Sequence, residues 1–267
     1  MTSRPTISVV TTTFNEADNI AACLQSVAWC DERIVVDGTS TDGTIDIARQ
    51  HTPNVYVQPN HDQWNINKNY GFDHATGDWL LSLDADERIT PALAEEIRAT
   101  IASAPESVLG FEIARRSFFF GREVRSCGMF HTAFRLFRHG AARFDGVHLH
   151  EPLLPRVPGE IRELREPMLH YTYDSIAEFV RKTNVYTDRE GEAYLSEGYR
   201  PKAVDLAIQP LRELWKRYIR QKGYTEGTLG LTVSGLYAMY TFLGYAKAWE
   251  RATAVQPRQC PSDHQYG

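Results

Sequence analysis

The sequence predicts an α/β fold, with a mixed, mainly parallel sheet flanked by helices and a helical extension at the C-terminal end. Three features of the sequence lead to this prediction. Short apolar runs alternate with segments of helical periodicity through the first third of the chain. Loops rich in glycine, aspartate and threonine follow several of those runs, as at the carboxyl ends of parallel strands. From Ser175 onward the periodicity is helical.

Four short strands separated by helices are predicted in the first third of the chain, and this order predicts right-handed βαβ units. The predicted strands are Ile7–Thr12, Arg33–Asp37, Val55–Val57 and Trp79–Leu83. The predicted helices between them are Asn19–Trp29, Thr44–Gln50 and Asn65–Ala75. Asp18 is expected to cap the first of these helices, and Thr90 followed by Pro91 marks the start of a fourth.

The rest of the chain predicts more strands and then helices. The strands are Val108–Phe120, Thr132–Phe137 and Ile161–Tyr171, and a proline-containing loop covers Leu149–Val157. The helices are Ser175–Glu197, Ala203–Lys222 and Leu229–Arg251. We therefore predict an α/β domain at residues 1–172, a helical extension at 173–255 and a disordered tail at 256–267.

Length and composition limit the classes of protein to consider. The chain has 267 residues, 42% of them hydrophobic, which suits one large domain with an appendage. Its net charge of −5 offers no basic footprint, so no nucleic-acid partner is expected. The four cysteines form no CxxC pair, and no basic segment followed by an apolar signal core opens the sequence. We therefore expect free thiols and a cytoplasmic protein.

The stretch GDWLLSLDADE at residues 77–87 points most directly to chemistry. An apolar strand ends in Asp84, Asp86 and Glu87, three carboxylates that repel one another unless a cation lies among them. A divalent ion is the simplest candidate, because hard cations prefer carboxylate oxygens. Since ligands bind at the carboxyl ends of strands in α/β sheets, this stretch predicts a metal-dependent site.

Other polar residues near this edge have two readings each. Asp37, at the end of the second predicted strand, can accept hydrogen bonds from a ribose or a base; alternatively, Asp37 and Asp42 hold turns. Lys68 is either a cation for a bound phosphate group or a solvated helix lysine. Arg135 and Arg138 either face a phosphate group or take ordinary surface positions.

Three blocks of sequence, TTTFNEADNI, VVDGTSTDGT and ATGDWLLSLDADE, together resemble the nucleotide-sugar domain of family 2 glycosyltransferases. The resemblance implies a Rossmann-like GT-A fold and transfer of a sugar from a nucleotide donor. DADE, VHLHEPL and LHYTYDSIAEFVRKTNVY resemble more narrowly the bacterial lipopolysaccharide-core glucosyltransferases of this family. That narrower resemblance implies a hexose donor, with UDP-glucose favoured, and a glycan or lipid-linked glycan acceptor.

The family resemblance implies roles for residues after the first two strands. Thr13, Asn15 and Glu16 fall in the segment that binds the nucleotide-sugar donor. Asp37 falls where the family contacts the uridine. The resemblance therefore places the nucleoside next to the acidic stretch.

The resemblance also implies the metal ligands. Asp84 and Asp86 match the Asp-x-Asp motif, which binds the donor diphosphate through Mg²⁺ or Mn²⁺, and Asp84 is expected nearer the ribose or the metal waters. His170 matches a late histidine that serves as a third metal ligand in related folds. The alternative for His170 is a buried histidine paired with Tyr173 or Asp174.

An inverting transfer needs a base that takes the proton from the acceptor hydroxyl. VHLHEPL offers His148, His150 and Glu151. The resemblance implies that Glu151 is the base, and His150 is either the base itself or a partner that orients Glu151. His148 is more simply a strand histidine bonded to the backbone.

The C-terminal helices predict a contact with a membrane or with a second copy of the chain. Leu211–Lys222 combines apolar and aromatic residues with basic ones, as in helices that lie on anionic lipid. Alternatively, Leu214 and Tyr218 pack on the main domain while the charges are solvated. Gly227–Ala246 is uncharged but only modestly apolar, which favours a buried helix, a homodimer contact or shallow insertion over a span. The lipid-anchored acceptor favours a peripheral location on the inner face of the cytoplasmic membrane.

Two other functions compete with glycosyl transfer. A metal-dependent nucleotidyltransferase or phosphohydrolase also gathers carboxylates at strand ends, but the sequence has no basic, glycine-rich triphosphate loop. A non-catalytic nucleotide-sugar-binding protein would keep the donor site and lack a base such as Glu151 on the acceptor side.

Overall fold

The structure is a computed structural model that describes residues 4–59, 64–145 and 152–253. The chain divides into two compact units at the boundary between Asp174 and Ser175. The first unit contains the sheet and its flanking helices, and the second consists of helices. The structure therefore confirms the α/β class and the helical C-terminal extension.

The first unit begins with alternating strands and helices, as the sequence predicts. The strands up to the acidic stretch are β1 (Ile7–Thr13), β2 (Glu32–Asp37), β3 (Val55–Val57) and β4 (Trp79–Asp84). The helices between them are α1 (Ala17–Ser26), α2 (Thr44–Arg49) and α3 (Trp64–His74). After β4 come β5 (Glu87–Arg88) and α4 (Pro91–Ser103), and the Thr90 hydroxyl caps α4 by accepting a hydrogen bond from Leu93 N.

The remaining strands of the first unit follow α4. They are β6 (Val108–Phe119), β7 (Arg122–Val124), β8 (Thr132–Arg138), β9 (Ala142–Arg143), β10 (Leu154–Pro155), β11 (Glu160–Glu163) and β12 (Met168–Tyr173). Within the described residues, one ten-stranded sheet has the order β3-β2-β1-β4-β8-β6-β12-β5, with β7 and β11 also paired to β6. β1 to β4 are mutually parallel, and β8 is antiparallel to both β4 and β6. This mixed sheet matches the predicted class.

The path of β5 brings the acidic stretch together with a distant strand. β5 follows β4 after only Ala85 and Asp86, yet it pairs with β12 at the far end of the sheet order. A two-residue connection spans only a few ångströms, so this end of the sheet must curl back towards β4. His170 therefore lies opposite Glu87 in the β12–β5 register.

β4 lies in the centre of the core and is buried on both faces. Leu81 and Leu83 pack on the side of α1 and α4, whereas Leu80 packs with Phe72 of α3 and Phe137 of β8. This alternation follows from the two-residue repeat of a strand. Helices cover both faces, which explains why the run Trp79–Leu83 is buried throughout and apolar except for Ser82.

The structure corrects three of the predicted elements in the first unit. α1 begins after Glu16 without a side-chain cap, and Asp18 lies inside its first turn. The predicted strand Ile161–Tyr171 is two strands, β11 and β12. The Glu96 side chain accepts hydrogen bonds from the backbone N–H groups of Arg165 and Glu166, and Pro167 has no backbone N–H, so this segment cannot continue the strand pairing. The predicted loop around Leu149–Val157 contains the short strand β10, which pairs with β9, while its residues 149–151 lie outside the described residues.

The second unit packs α5 (Ile176–Ser196) and α6 (Ala203–Trp215) against α7 (Thr228–Thr253). α6 is shorter than predicted, because its α-helical turns end at Trp215 and a π-helical turn follows at Lys216–Arg220. In the described parts of the chain, no helix combines the length and the apolarity that crossing a bilayer requires.

Candidate active site

Glu87 fixes the turn that carries the acidic residues. Its side chain is fully buried, and its Oε2 accepts a hydrogen bond from Asp84 N at 2.9 Å. This bond closes the turn between β4 and β5, so that Asp84 and Asp86 project from a rigid loop. Glu87 is therefore a structural member of the DADE motif, and its buried charge requires compensation.

Arg135, from β8, supplies that compensation. Its Nη2 donates to Asp84 Oδ2 at 2.7 Å and to Glu87 Oε1 at 2.8 Å, and Arg115 Nη1 lies 3.4 Å from the same Glu87 oxygen. Burial disfavours the charged guanidinium, but the two carboxylates outweigh it and raise the pKa of Arg135. The predicted surface position of Arg135 is wrong, because only 6% of the residue is exposed.

Lys68 contacts the other oxygen of Asp84. Its Nζ lies 2.6 Å from Asp84 Oδ1, and its side chain is largely buried, so the solvated-lysine alternative is wrong. Burial disfavours the Asp84 carboxylate, but Arg135 and Lys68 outweigh this effect and hold its pKa well below the usual range. Asp84 is thus ionised and already bound by two cations.

Asp86 faces a different partner. Its Oδ2 lies 3.3 Å from His170 Nε2, while Tyr171 N donates to the Asp86 carbonyl oxygen at 2.9 Å. Burial disfavours the imidazolium form of His170, but Asp86 outweighs burial and raises the histidine pKa. The other ring nitrogen of His170 contacts the Thr172 hydroxyl at 3.3 Å. The sequence prediction that His170 and Asp86 form one site is consistent with this geometry.

The fit of Mg²⁺ or Mn²⁺ to these residues can be judged from the side chains present. In residues 4–59, 64–145 and 152–253, no group of three or more His, Cys, Asp or Glu side chains is placed to hold a metal ion. The pair formed by Asp86 and His170 nevertheless offers one carboxylate and one imidazole within 3.3 Å of each other. Divalent ions at phosphate sites commonly take one or two protein ligands and complete their coordination with phosphate oxygens and water. The pair therefore fits such an ion, whereas Asp84 is engaged by cations.

Ser40 ties together the loops that follow β1 and β2. Its backbone N–H and hydroxyl donate to the two oxygens of Asp37 at 2.7 and 2.6 Å, and its Oγ accepts from Asn15 N at 2.7 Å. Asn15 Oδ1 in turn accepts from Thr41 N at 2.9 Å. Both carboxylate oxygens of Asp37 thus hold a turn, which is the alternative that the sequence analysis gave for this residue. The nucleoside contact of Asp37 stays a prediction.

A second set of bonds joins the same two loops. Asp42 accepts from Ala17 N at 3.1 Å and from Thr44 N at 3.1 Å, and Glu16 N donates to Thr44 Oγ1 at 2.9 Å. Beside them, the buried Thr13 Oγ1 has no hydrogen-bond partner among the described residues. A buried hydroxyl without a partner at a strand's carboxyl end is suited to bond a ligand.

The predicted acceptor-side residues cannot be placed. Glu151, His150 and His148 lie outside the described residues, so the assignment of the base stays a prediction. Arg138, by contrast, is engaged by protein groups, which does not support the predicted contact with a phosphate group. Its guanidinium donates to the carbonyl oxygens of Val108, Ala104 and Pro105 and lies 4.6 Å from the centroid of the Trp79 ring.

Arg135, Arg115 and the structural role of Glu87 were not identified from the sequence as parts of one site. The usable signal was an arginine inside the apolar run of β8, flanked by Phe134 and Leu136. A buried strand accepts an arginine only where carboxylates balance it. That reasoning would have directed attention to the DADE motif.

Comparison with known proteins defines the class. Residues 8–150 match the sequence profile of Glycosyl transferase family 2, a match that spans more than half of the chain. The chain therefore belongs to glycosyl transferase family 2 and is a glycosyltransferase, as the sequence motifs predict. The nucleotidyltransferase, phosphohydrolase and non-catalytic alternatives are set aside by this membership.

Particular relatives are similar over different lengths. The chain is 27% identical over 251 residues to the lipopolysaccharide core biosynthesis glycosyltransferase LpsC of Rhizobium meliloti, covering 89% of each chain. It is 40% identical over 97 residues to a PGL/p-HBAD biosynthesis glycosyltransferase of Mycobacterium bovis, covering 33% of this chain and 38% of that protein.

Solved structures with detectable similarity include S. aureus TarS 1-349, with a TM-score of 0.47 and 15% identity over 92% of this chain and 91% of that one. Another is glucosyl-3-phosphoglycerate synthase from Mycobacterium tuberculosis in complex with Mg²⁺ and UDP. It has a TM-score of 0.35 and 23% identity over 44% of each chain.

Proposed function

We propose that this glycosyltransferase moves a hexose from a nucleotide-sugar donor, with UDP-glucose favoured, to a hydroxyl group of a glycan in the synthesis of lipopolysaccharide core or another surface polysaccharide. One observation carries the proposal: a rigid loop at the end of β4 presents Asp84 and Asp86 beside Lys68, Arg135 and His170. The printed name of the Rhizobium meliloti relative supports the polysaccharide assignment.

The leaving group of this reaction is a nucleoside diphosphate, and the residues around Asp84 suit its charge. Lys68 and Arg135 bring positive charge to the loop and keep Asp84 ionised. Asp86 and His170 would hold Mg²⁺ or Mn²⁺. When bound, such an ion supplies a Lewis acid that stabilises the departing diphosphate.

The nucleoside portion of the donor is assigned to the loops after β1 and β2. The hydrogen bonds through Ser40 and Asp42 pre-organise these loops, so that little order has to be gained when the donor binds. Thr13, Asn15, Glu16 and Asp37 are the residues proposed to contact it. The unpartnered Thr13 hydroxyl supports this assignment.

We assign an inverting mechanism in which Glu151 accepts the proton from the attacking acceptor hydroxyl and His150 orients Glu151. The proton transfer has to accompany attack, because a sugar hydroxyl is a poor nucleophile until a base removes its proton. The acceptor is proposed to be a lipid-linked glycan. The enzyme would then work as a peripheral protein on the inner face of the cytoplasmic membrane, and the helical second unit would provide the membrane contact or join a homodimer.

A transfer assay tests the proposal. The full-length protein is incubated with Mn²⁺, a panel of nucleotide sugars and a truncated lipopolysaccharide core, and the product is analysed by mass spectrometry and NMR. The proposal predicts the mass gain of one hexose from a UDP-sugar and a β linkage from an α-linked donor. Transfer with retention of configuration would contradict the mechanism, and no transfer to any core or surface polysaccharide would contradict the acceptor class.

A further inference from the structure

The outer side of α6 is unusual because it is apolar where the helix meets solvent. Val204, Ile208, Leu211, Trp215 and Ile219, here called the outer stripe, are all exposed; Leu211 is 64% and Trp215 58% exposed. None of the residues of α6 is buried. Monomeric proteins rarely expose contiguous apolar patches larger than a few hundred Å², and larger patches commonly bind a partner or a membrane.

The spacing of the outer stripe keeps it on one face. Its members are three or four residues apart, which is the repeat of one side of a helix. The π-helical turn at Lys216–Arg220 extends this alignment, because a π turn holds more residues than the ~3.6 of an α-helical turn. Trp215 and Ile219 are four residues apart and so lie on the same side as the earlier members of the stripe.

The inner side of the same helix combines polar and apolar side chains, so it does not gather the apolar residues of the helix as the buried side of an ordinary surface helix does. Glu213 pairs with Arg217 at 2.6 Å, and the Arg217 guanidinium stacks on the Tyr237 ring of α7 at 3.7 Å. Leu214 and Tyr218 are half-buried on this side. The helix thus packs on α7 partly through ionic and aromatic contacts, and the five apolar residues of the outer stripe stay exposed.

A row of basic residues runs beside the outer stripe. Arg212, Lys216 and Arg220 recur every four residues and are exposed. Lys216 pairs with Glu213 at 3.3 Å, whereas Arg212 and Arg220 form no ion pair with a described residue. The acidic residues Asp205 and Glu213 are less exposed than this row. The outer side of α6 therefore presents apolar and positive groups together.

We propose that the outer stripe and its basic row dock on an anionic lipid surface, with α6 lying in the plane of the interface. Apolar side chains enter the acyl boundary in this arrangement while neighbouring Lys and Arg contact anionic headgroups. A protein partner would need an acidic rim to match the row, whereas an anionic bilayer supplies that charge over its whole surface. The inference deepens the proposed function and rests on it in one respect. If the acceptor is a lipid-linked glycan, the enzyme reaches it at the same bilayer surface on which α6 docks.

Vesicle co-sedimentation of the full-length protein tests the docking surface. We expect binding to vesicles containing phosphatidylglycerol and weak binding to vesicles of phosphatidylcholine alone. The variant Leu211→Ser/Trp215→Ser should lower the partition coefficient about tenfold or more, because each side chain loses its transfer from water. The variant Arg212→Gln/Lys216→Gln/Arg220→Gln should lower it by roughly a hundredfold on anionic vesicles.

Two matched controls make the test specific. Trp249→Ser removes another exposed tryptophan, on α7, and should leave vesicle binding unchanged. Arg122→Gln/Arg156→Gln/Arg162→Gln removes the same amount of positive charge from exposed positions of the first unit and should also leave it unchanged. Equal losses in the controls, or no loss in the α6 variants, would overturn the proposal. A change in oligomeric mass by light scattering, without a change in vesicle binding, would instead assign the outer stripe to a contact between two copies.

The outcome can be separated from that of the proposed function. UDP binding and transfer to a detergent-solubilised acceptor do not require the outer stripe, so the α6 variants should retain both. If vesicle binding is absent while transfer persists, only the docking surface is disproved. If the wild-type protein binds vesicles but no nucleotide, the donor assignment fails and the docking surface stands.

Discussion

Charged side chains are usually exposed and large apolar side chains usually buried. The acidic loop after β4 and the outer side of α6 depart from this rule in opposite directions. At the acidic loop, Glu87 and the Arg135 side chain contributed by β8 are charged groups removed from water. On α6, Leu211 and Trp215 are large apolar groups left in water. The ordinary distribution is seen at positions such as Leu81, which is buried, and Arg162, which is exposed.

The comparison shows that buried charge in the first region and exposed apolar surface in the second are compensated in different ways. The buried charges of the acidic loop are compensated within the chain, because Arg135 bridges Asp84 and Glu87. No comparable cover exists for the outer stripe within the described residues. The first region is therefore complete as a fold and prepared for a ligand, whereas the second needs a surface outside the chain. Departures from local rules of this kind are expected at functional sites.

The largest expected effect comes from removing the ligand that the acidic loop offers to the metal. Asp86→Ala should lower kcat/KM for Mn²⁺-dependent transfer by about 10³-fold or more, since a Lewis acid contributes several kcal/mol and 1.36 kcal/mol is tenfold. The thermal midpoint should stay close to that of the wild type, because Arg135 keeps its hydrogen-bonded carboxylates, Asp84 and Glu87. Glu95→Ala, an exposed carboxylate on α4, is the control and should keep full activity. Unchanged activity in Asp86→Ala would remove the metal role.

Removing Arg135, which compensates the charges of Asp84 and Glu87, should have the largest effect on stability. Arg135→Met leaves Glu87 buried and unpaired on that side, so the free energy of unfolding should fall by about 3–5 kcal/mol. Denaturant titration measures the change, and Glu87→Gln/Arg135→Met should recover part of it because the buried charge is then absent. Arg162→Met, at an exposed pair with Glu160, should leave the midpoint unchanged. A loss below about 1 kcal/mol in Arg135→Met would show that the cluster is hydrated.

Removing the proposed base should affect turnover alone. Glu151→Gln should lower kcat by about 10²–10⁴-fold with donor affinity retained, the usual range for loss of a general base. Steady-state kinetics together with UDP titration separates the two quantities. Weakened UDP binding in this variant would point to a structural role for Glu151, and an equally large loss in His150→Gln alone would transfer the role of base to His150.

The smallest expected effect is on the stability of the second unit. Leu211→Ser/Trp215→Ser should change the free energy of unfolding by no more than about 0.5 kcal/mol per site, because these side chains are already in water. Leu81→Ala, in the buried core, should cost about 2–5 kcal/mol by comparison. A large loss in the α6 variant would mean that the outer stripe packs within the protein in solution, and the contrast between the two regions would disappear.

The sequence predicted the first four strands closely because their information is local. Each is a short apolar run bounded by turn residues, so its limits and the position of Asp84 at the end of β4 could be read directly. The family motifs also located Asp86 and His170, which the structure brings within 3.3 Å of each other. Nothing in the local pattern, however, revealed which strands are neighbours.

The rest depended on contacts between distant parts of the chain. The partners of Arg135 follow from β8 lying beside β4, and the place of His170 follows from β5 pairing with β12. The direction of the α6 face was equally hidden, since periodicity shows that a helix has an apolar side without showing whether that side faces the protein. Glu151 and His150 were predicted by resemblance alone and stay predictions.

Calorimetric titration of the protein with UDP, with and without Mn²⁺, tests the central claim most directly. The claim is that the acidic loop and the loops after β1 and β2 form one metal-dependent site for a nucleotide-sugar donor. It predicts UDP binding that requires Mn²⁺, is lost in Asp86→Ala, is weakened in Asp37→Ala and is retained in Glu95→Ala. Failure to bind UDP or any other nucleoside diphosphate in the presence of Mn²⁺, or equal binding by Asp86→Ala, would contradict it.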